Sequence, residues 1–324
     1  MRVCLGHSLV FGLLFVVIIA ACLAPAFAAS NVVAWGANNA EVDRGQCNVP
    51  AGTYAAVAAG GRHSLAIGPD GTLAAWGQNS SGECNVPSGS FVAAAGGGGH
   101  SLGIRTDGTL AAWGSNYWGE CNAPTGTFSA IAAGYTFSVG LRTDGTLAAW
   151  GQNASGQCNV PTGTFTAIEA GHSFSLGIRT DGILAAWGWN YYGQCNAPSG
   201  SFVAVAGGIA HSLAIRTDGT LVAWGSNTYG QCNVPTGTFS AIAARAWSSL
   251  GLRSDGTLVA WGSDTYGACD APSGTFSAIA AGYEHGLAMQ AVPEPSSLAA
   301  LGAGLLPIAL GVRRRCRRRS GIGG

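Results

Sequence analysis

The sequence predicts an all-β protein built as a closed ring of seven short sheets, and three observations carry that reading. A Trp-Gly pair recurs at Trp35, Trp76, Trp113, Trp150, Trp187, Trp224 and Trp261, and every interval after the first is 37 residues. Within each unit, two runs of alternating character are joined by Asp-Gly, whose residues adopt positive φ cheaply and so favour a hairpin. The two ends of the repeating region also complement one another. A fixed period of this length belongs to solenoids and propellers.

The unit from Ala204 to Phe239 shows the elements in order. A first strand is small and apolar, as in Phe-Ser-Ala-Ile-Ala-Ala at 239–244. A second strand, His-Ser-Leu-Ala-Ile-Arg, and a third, Thr-Leu-Val-Ala-Trp, alternate around Thr-Asp-Gly. The link Gly-Gln-Cys-Asn-Val-Pro-Thr-Gly-Thr carries the Gly and Pro that return the chain to the next unit. The first interval is 41 residues, because four extra residues precede Gln46-Cys47.

The last unit stops at Met289-Gln290, where the others have Thr-Asp-Gly. The first repeat-like residues, Asn31 to Trp35, match the strand that follows that turn. Seven periods of 37, three residues short at the join and four long in the first interval, account for the 260 residues from Asn31 to Gln290. An open solenoid would leave exposed end units, and closure removes them. Residues 31–290 are therefore expected to form a seven-bladed β-propeller with short three-stranded blades, closed by the N-terminal strand.

The pattern AAGxxHSLAIRTDGTLAAWGxNxxGQCNVP, repeated through 31–290, resembles the regulator of chromosome condensation repeat family. The short unit with GQxxVP looks most like the secreted bacterial propeller that inhibits β-lactamases. It departs from that pattern in having Cys-Asn where the inhibitor-like repeat has two threonines, and Arg-Thr-Asp-Gly where it has Lys-Asp-Gly. The resemblance is specific for fold and weak for function, because one fold hosts unrelated activities.

The flanks point to export. Residues 1–28 read as a signal peptide: Arg2, an apolar stretch from Leu9 to Ala24, and a small-x-small site at Ala26-Phe27-Ala28, so that the mature chain begins near Ala29. The run Ile19-Ala20-Ala21-Cys22 also resembles a lipoprotein cleavage box, in which Cys22 would be lipidated. Residues 292–319 resemble a PEP-CTERM sorting signal, with Pro293-Glu294-Pro295, a short apolar transmembrane span and an Arg cluster from Arg313 to Arg319. That resemblance implies an exosortase-type processing enzyme as a partner and membrane attachment through the span before processing. It also implies delivery to the envelope, surface or extracellular matrix of a bacterium. Pro307 within the span and the Ser-Gly-Ile-Gly-Gly end depart from the pattern, and a permanent anchor is the alternative.

The neutral whole-chain balance hides an acidic ring: residues 31–290 hold no lysine and eight arginines against fourteen aspartates and glutamates, a net of −6. An acidic ring without basic grooves argues against nucleic-acid binding. No HExxH, GxSxG or phosphate-loop pattern is present, so no catalytic residue, cofactor or metal is expected and the chain is read as a non-enzyme. Cys47, Cys84, Cys121, Cys158, Cys195, Cys232 and Cys269 recur once per repeat without CxxC spacing and read as small buried hydrophobes. His63, His100, His211 and His285 share a position that Phe137, Phe174 and Ser248 hold elsewhere, which suits packing or a local hydrogen bond. Glu83, Glu120, Glu169 and Asp264 read as top-side carboxylates of unknown pairing.

If the first strand of each unit runs upward, the AAGxx and WGxNxxG loops share one face. They are also where the repeats differ most. The WGxNxxG loops carry Tyr117, Trp118, Trp189, Tyr191, Tyr192, Tyr229 and Tyr266. The AAGxx loops carry Tyr135, Trp247 and Tyr283, with Arg62, His172, Arg245 and Glu284 among them. Tyr, Trp and Arg dominate recognition hot spots, and variable loops on a rigid scaffold suit binding. These ten aromatics are the predicted binding residues for a protein or glycan ligand. A polysaccharide-acting enzyme or an inhibitor of a secreted enzyme is the alternative.

Overall fold

The computed structural model describes residues 30–37 and 42–291. The signal-peptide, lipidation and sorting-signal expectations, at 1–28, Cys22 and 292–319, lie outside the described residues.

Seven three-stranded antiparallel sheets form the blades of a ring. Blades 1 to 6 span 56–77, 91–114, 128–151, 165–188, 202–225 and 239–262. Blade 7 combines strands Phe276–Ala281 and His285–Gln290 with the N-terminal strand Val32–Gly36. That strand pairs antiparallel with His285–Gln290, placing Val32 opposite Met289 and Trp35 opposite Gly286. The join is the one the residue count demanded.

The middle strand of each blade is buried along nearly its whole length, as in Phe137–Arg142 and His211–Arg216. The first strand lies innermost, and neighbouring inner strands approach backbone to backbone. A Cβ on Gly96 would sit 2.5 Å from the Gly60 nitrogen, so this neck admits only glycine without shifting a blade. Along the outside, each Trp of the Trp-Gly pair donates its indole N–H to a carbonyl of the preceding link. The bonds run from Trp76 to Gln46 at 2.8 Å, from Trp113 to Glu83 at 2.9 Å and so on around the ring. The ring closes with Trp35 donating to the Ala268 carbonyl at 3.1 Å.

Closure therefore rests on a buried indole, and Trp35→Ala is expected to cost about 3–5 kcal/mol, as large aromatic truncations do. In a domain of this size that lowers the melting temperature by about 6–20 °C. Calorimetry, with proteolysis monitored at Val32–Gly36, checks it, and an unchanged melt would mean that the N-terminal strand does not hold the ring shut.

A second belt runs through the interior. His63 Nε2 lies 2.9 Å from Ser101 Oγ of the next blade, His100 Nε2 3.0 Å from Ser138, His211 Nε2 3.0 Å from Ser249 and His285 Nε2 2.9 Å from Ser64. Each of these serines spends its own proton on a link carbonyl, as Ser101 Oγ does on Glu83. The histidine must then donate from Nε2, which fixes a neutral imidazole with Nδ1 bare. In all four histidines Nδ1 is buried without a partner. The sequence-based expectation of a local hydrogen bond is thus corrected: the bond crosses between blades. Ser248 replaces His in blade 6 just where blade 7 offers no hydroxyl, because Gly286 stands there and any side chain would overlap the Trp35 indole.

The cysteines also differ from the expectation of buried hydrophobes. All seven are half-buried and free. Each thiol donates to a backbone carbonyl at its loop's base, such as Cys84 to Gln78 at 3.1 Å and Cys121 to Ser115 at 3.0 Å. Burial pushes the Cys84 and Cys121 thiols up to about 11, so they are neutral donors rather than nucleophiles near pH 7.

Candidate functional site

Because every strand pairing is antiparallel, both variable loop types project from one face, and the Asp-Gly hairpins and the described chain ends lie on the other. The WGxNxxG loops are held from within. Asn190 Oδ1 accepts the Cys195 N–H at 2.7 Å, and Asn190 Nδ2 reaches Asn196 Oδ1 at 2.9 Å. Buried Gln194 accepts the Tyr192 N–H at 3.0 Å, Gln231 the Tyr229 N–H at 2.8 Å and Glu120 the Trp118 N–H at 2.7 Å. Two of the carboxylates expected on the top face are thereby reassigned. Glu83 and Glu120 are buried and accept loop donors, so they are loop supports and not free acids.

The AAGxx loops meet around the axis. Backbone hydrogen bonds link Gly61 to Gly97, Gly98 to Tyr135, Tyr135 to His172, His172 to Gly208, Ile209 to Ala246 and Tyr283 to Gly61. Tyr135 stacks on His172 with centroids 4.5 Å apart, and Tyr283 from the far side of the ring meets both rings edge-on. These three residues cover the mouth of the axial channel.

Arg245, expected among the exposed loop residues, is instead 7 % exposed. It occupies the position that is glycine in the other six blades. Its guanidinium crosses the channel, donating at 2.8 Å to the Gly96 carbonyl of blade 2 and at 3.2 Å to the Ala133 carbonyl of blade 3, on the opposite side. It also lies 5.5 Å from the Tyr283 ring centroid. Glu169 occupies the position held by Ala58, Ala95, Ala132, Ala206, Ala243 and Ala280 elsewhere. Burial raises its carboxyl to about 7 against the pull of Arg245. It too is a channel residue rather than a top-face acid.

The remaining predicted residues fall into groups. Tyr117 and Trp118 meet edge-on at 5.1 Å above blade 2. Trp189, Tyr191 and Tyr192 form a trio above blade 4, and Tyr229 meets Trp247 at 5.7 Å. Trp247, Tyr266 and Tyr283 line one cleft between blades 6 and 7. Tyr117 and Tyr191 are the most exposed, at 84 % and 78 %. Blades 1 and 3 carry Ser80-Ser81 and Ala154-Ser155 in the same loop, so the fold does not require aromatics there. Among the described residues no three His, Cys, Asp or Glu side chains converge as a metal site would need.

Fold and surface together define a class: a rigid β-propeller scaffold with a variable loop face. Within that class, four stretches of the chain match the RCC1 repeat, and its fold is similar to that of RCC1 propellers. The family model for the regulator of chromosome condensation (RCC1) repeat matches residues 54–83, 128–157, 165–194 and 202–231. Similar folds include Prp20p of Saccharomyces cerevisiae, at TM-score 0.70 and 16% identity over 85% of this chain and 94% of that one. Human WBSCR16 matches at TM-score 0.68 and 16% identity over 81% and 100%. The ectodomain of the Physcomitrella patens receptor kinase CR4 matches at TM-score 0.61 and 23% identity over 70% and 67%. At these identities the likeness is one of fold. No curated protein sequence matches the chain.

Proposed function

We propose that this protein is an exported, non-catalytic binding module that recognises a protein or glycan at the bacterial envelope through its aromatic loop face. The observation that carries this reading is the uneven placement of Tyr and Trp. They concentrate on blades 2 and 4 to 6, in loops whose backbone is fixed in blades 2, 4 and 5 by a buried Glu or Gln, while equivalent loops of blades 1 and 3 carry Ser and Ala. Fixed aromatics lose little entropy on binding. Glu83, Glu120 and Asp264 are engaged in loop support and Glu169 lies within the channel, so no carboxylate pair is assembled among them on the loop face, which favours binding over hydrolysis.

The flanking segments supply the setting. A signal peptide at 1–28 and a PEP-CTERM-like signal at 292–319, processed by an exosortase-type enzyme, would deliver the ring to the envelope or beyond. Since both described ends lie on the hairpin face, a tether would turn the aromatic face away from the membrane.

The test compares the full chain with a triple variant, Trp118→Ala, Trp189→Ala and Trp247→Ala, in binding to secreted-protein extracts and to polysaccharides. Binding is expected to fall by at least about tenfold, the loss of one modest hot spot, in a variant that still melts cooperatively. Undiminished binding would move recognition to the hairpin face or the channel.

A further inference from the structure

Exposed Tyr and Trp rings gather on the loop face, and the repeated Arg and Asp side chains on the hairpin face. The strand-ending arginines, such as Arg105 and Arg142, lie at the hairpin end over Phe rings, where the turn aspartates also sit. On the loop face, Arg62 and Glu284 neutralise each other at 3.0 Å, and Asp264 accepts the Cys269 N–H. Among the described residues that face gathers no arginine cluster for an anion and no acidic cradle for a cation, its exposed Asp43 and Arg44 being adjacent charges of opposite sign. Such a face suits a ligand held by ring faces and neutral hydrogen bonds.

Trp189 gives this chemistry a location. It stands where the other repeats have Ala37, Gln78, Ser115, Gln152, Ser226 and Ser263, so the fold has no need of an indole there. The Tyr191 ring lies nearly parallel to it, with a 9° interplanar angle and centroids 6.5 Å apart. Tyr192 stands edge-on to both, at 5.5 and 5.0 Å. The indole walls a shallow depression of about 210 Å³, completed by Ser155, His172, Ser173 and Ile209. His172 Nδ1 lies 2.8 Å from Ser173 Oγ. Burial lowers the His172 imidazole, with Arg245 adding to the effect, so it is neutral near pH 7 and able to donate or accept.

An apolar ring face beside groups that both donate and accept is the complement of a pyranose, with its C–H face and its rim of hydroxyls. We propose that this depression is a subsite for a neutral hexopyranose unit of a glycan, seated on Trp189 and hydrogen-bonded by Ser155, Ser173 and His172. The proposal rests on the loop-face reading and names its ligand class. The positive C–H edge of the sugar meets the negative indole face, the same electrostatics that orders aromatic pairs. The site is open and shallow, so one unit binds weakly, with a Kd of about 0.1–1 mM, or roughly 4–5.5 kcal/mol.

Saturation-transfer NMR and tryptophan fluorescence on the full chain, with cellohexaose, maltohexaose and mannohexaose as probes, test it. At least one hexasaccharide is expected to bind. Trp189→Ser, the residue blade 5 carries, should weaken it by about tenfold or more, and Ile183→Thr, an exposed hairpin-face change to the residue other blades carry, by less than about twofold, since each tenfold is about 1.4 kcal/mol. Tyr191→Ser, at a highly exposed position, gives a second variant that leaves the core untouched and should also weaken binding. If none of the three sugars binds, or if Trp189→Ser and Tyr191→Ser bind like the parent, the saccharide subsite is wrong. A protein captured by the parent and lost by the triple tryptophan variant, with no sugar bound, would overturn the subsite and leave the loop-face reading standing. Failure of both would remove both.

Discussion

Below about pH 6 the propeller is expected to lose stability at roughly 4 kcal/mol per pH unit, the net of the group contributions that follow. Burial pushes the His63, His100 and His285 imidazoles down to about 3 and His211 down to about 4. The unfolded chain takes up protons on these residues from about pH 6.5, and the folded chain does not. Stability is therefore fully present above that pH and lost as pH falls towards the folded values, by about 1.4 kcal/mol per pH unit per histidine. Glu169 acts in the opposite direction. Its carboxyl is raised to about 7, so it stabilises the fold at acid pH and withdraws that support as pH rises through 7. Over about pH 6 to 4.5 it cancels one of the four histidine contributions. A domain with about 10 kcal/mol in hand would unfold between about pH 5 and 4. Circular dichroism at a series of pH values checks this, with His100→Phe as the diagnostic variant. Phe137 and Phe174 already occupy the same position in other blades, so the change is tolerated sterically. It should remove about one of the four histidine slopes, about 1.4 kcal/mol per pH unit. A flat profile from pH 7 to 4, or an unchanged slope in the variant, would refute the role given to the belt.

How much of this was legible in the sequence depends on the range of the signal. Blade number and closure were, because Trp-Gly spacing and the complementary ends at Asn31 and Gln290 are counts along the chain. The His–Ser belt was not recognised, although its trace is present: His63 and Ser101 are 38 residues apart, one more than the period. The shared loss of His at Ser248 and of Ser at Gly286 repeats that trace. Reading each repeat in isolation hid a bond that exists only between repeats. The loop face was legible because antiparallel strands alternate direction. Which loop residues remain exposed was not, since the ring draws some of them to its axis. Tyr117 and Tyr191 project freely, while Tyr283 turns inward at the channel mouth and Tyr135, still 45 % exposed, leans over it. Arg245 and Glu169 were each the lone exception to a six-fold Gly or Ala position, a signal strong enough to mark them as special but silent on direction. Glycine and alanine at those positions set the channel's width, and a long side chain introduced there has room only across it.

Arg245→Met is accordingly expected to lower stability at pH 8 by about 3 kcal/mol, or about 6–12 °C in melting temperature. The variant keeps the side chain's bulk and removes its donors. The Gly96 and Ala133 carbonyls, on blades opposite Arg245, lose charge-assisted bonds of 2.8 and 3.2 Å. Tyr283 loses the cation near its face. Glu169 loses the positive neighbour that opposes its burial, so its carboxyl should rise further and hold a proton at higher pH. Against this cost, Arg245 Nε is itself buried without a partner, and replacing a buried ion by an apolar side chain can stabilise a fold. Glu169 decides between them. With its carboxylate left uncompensated, removal of the cation strands a buried charge, the case in which loss of a partner is strongly destabilising. The cost of Arg245→Met should therefore shrink by more than about 1 kcal/mol in a Glu169→Gln background, and also as pH falls from 8 to 6 and Glu169 takes up its proton. A double-mutant cycle followed by calorimetry at both pH values measures this. If Arg245→Met melts at or above the parent temperature at pH 8, the guanidinium does not bind opposite blades together, and the ring owes its rigidity to the indole and His–Ser belts between neighbouring blades.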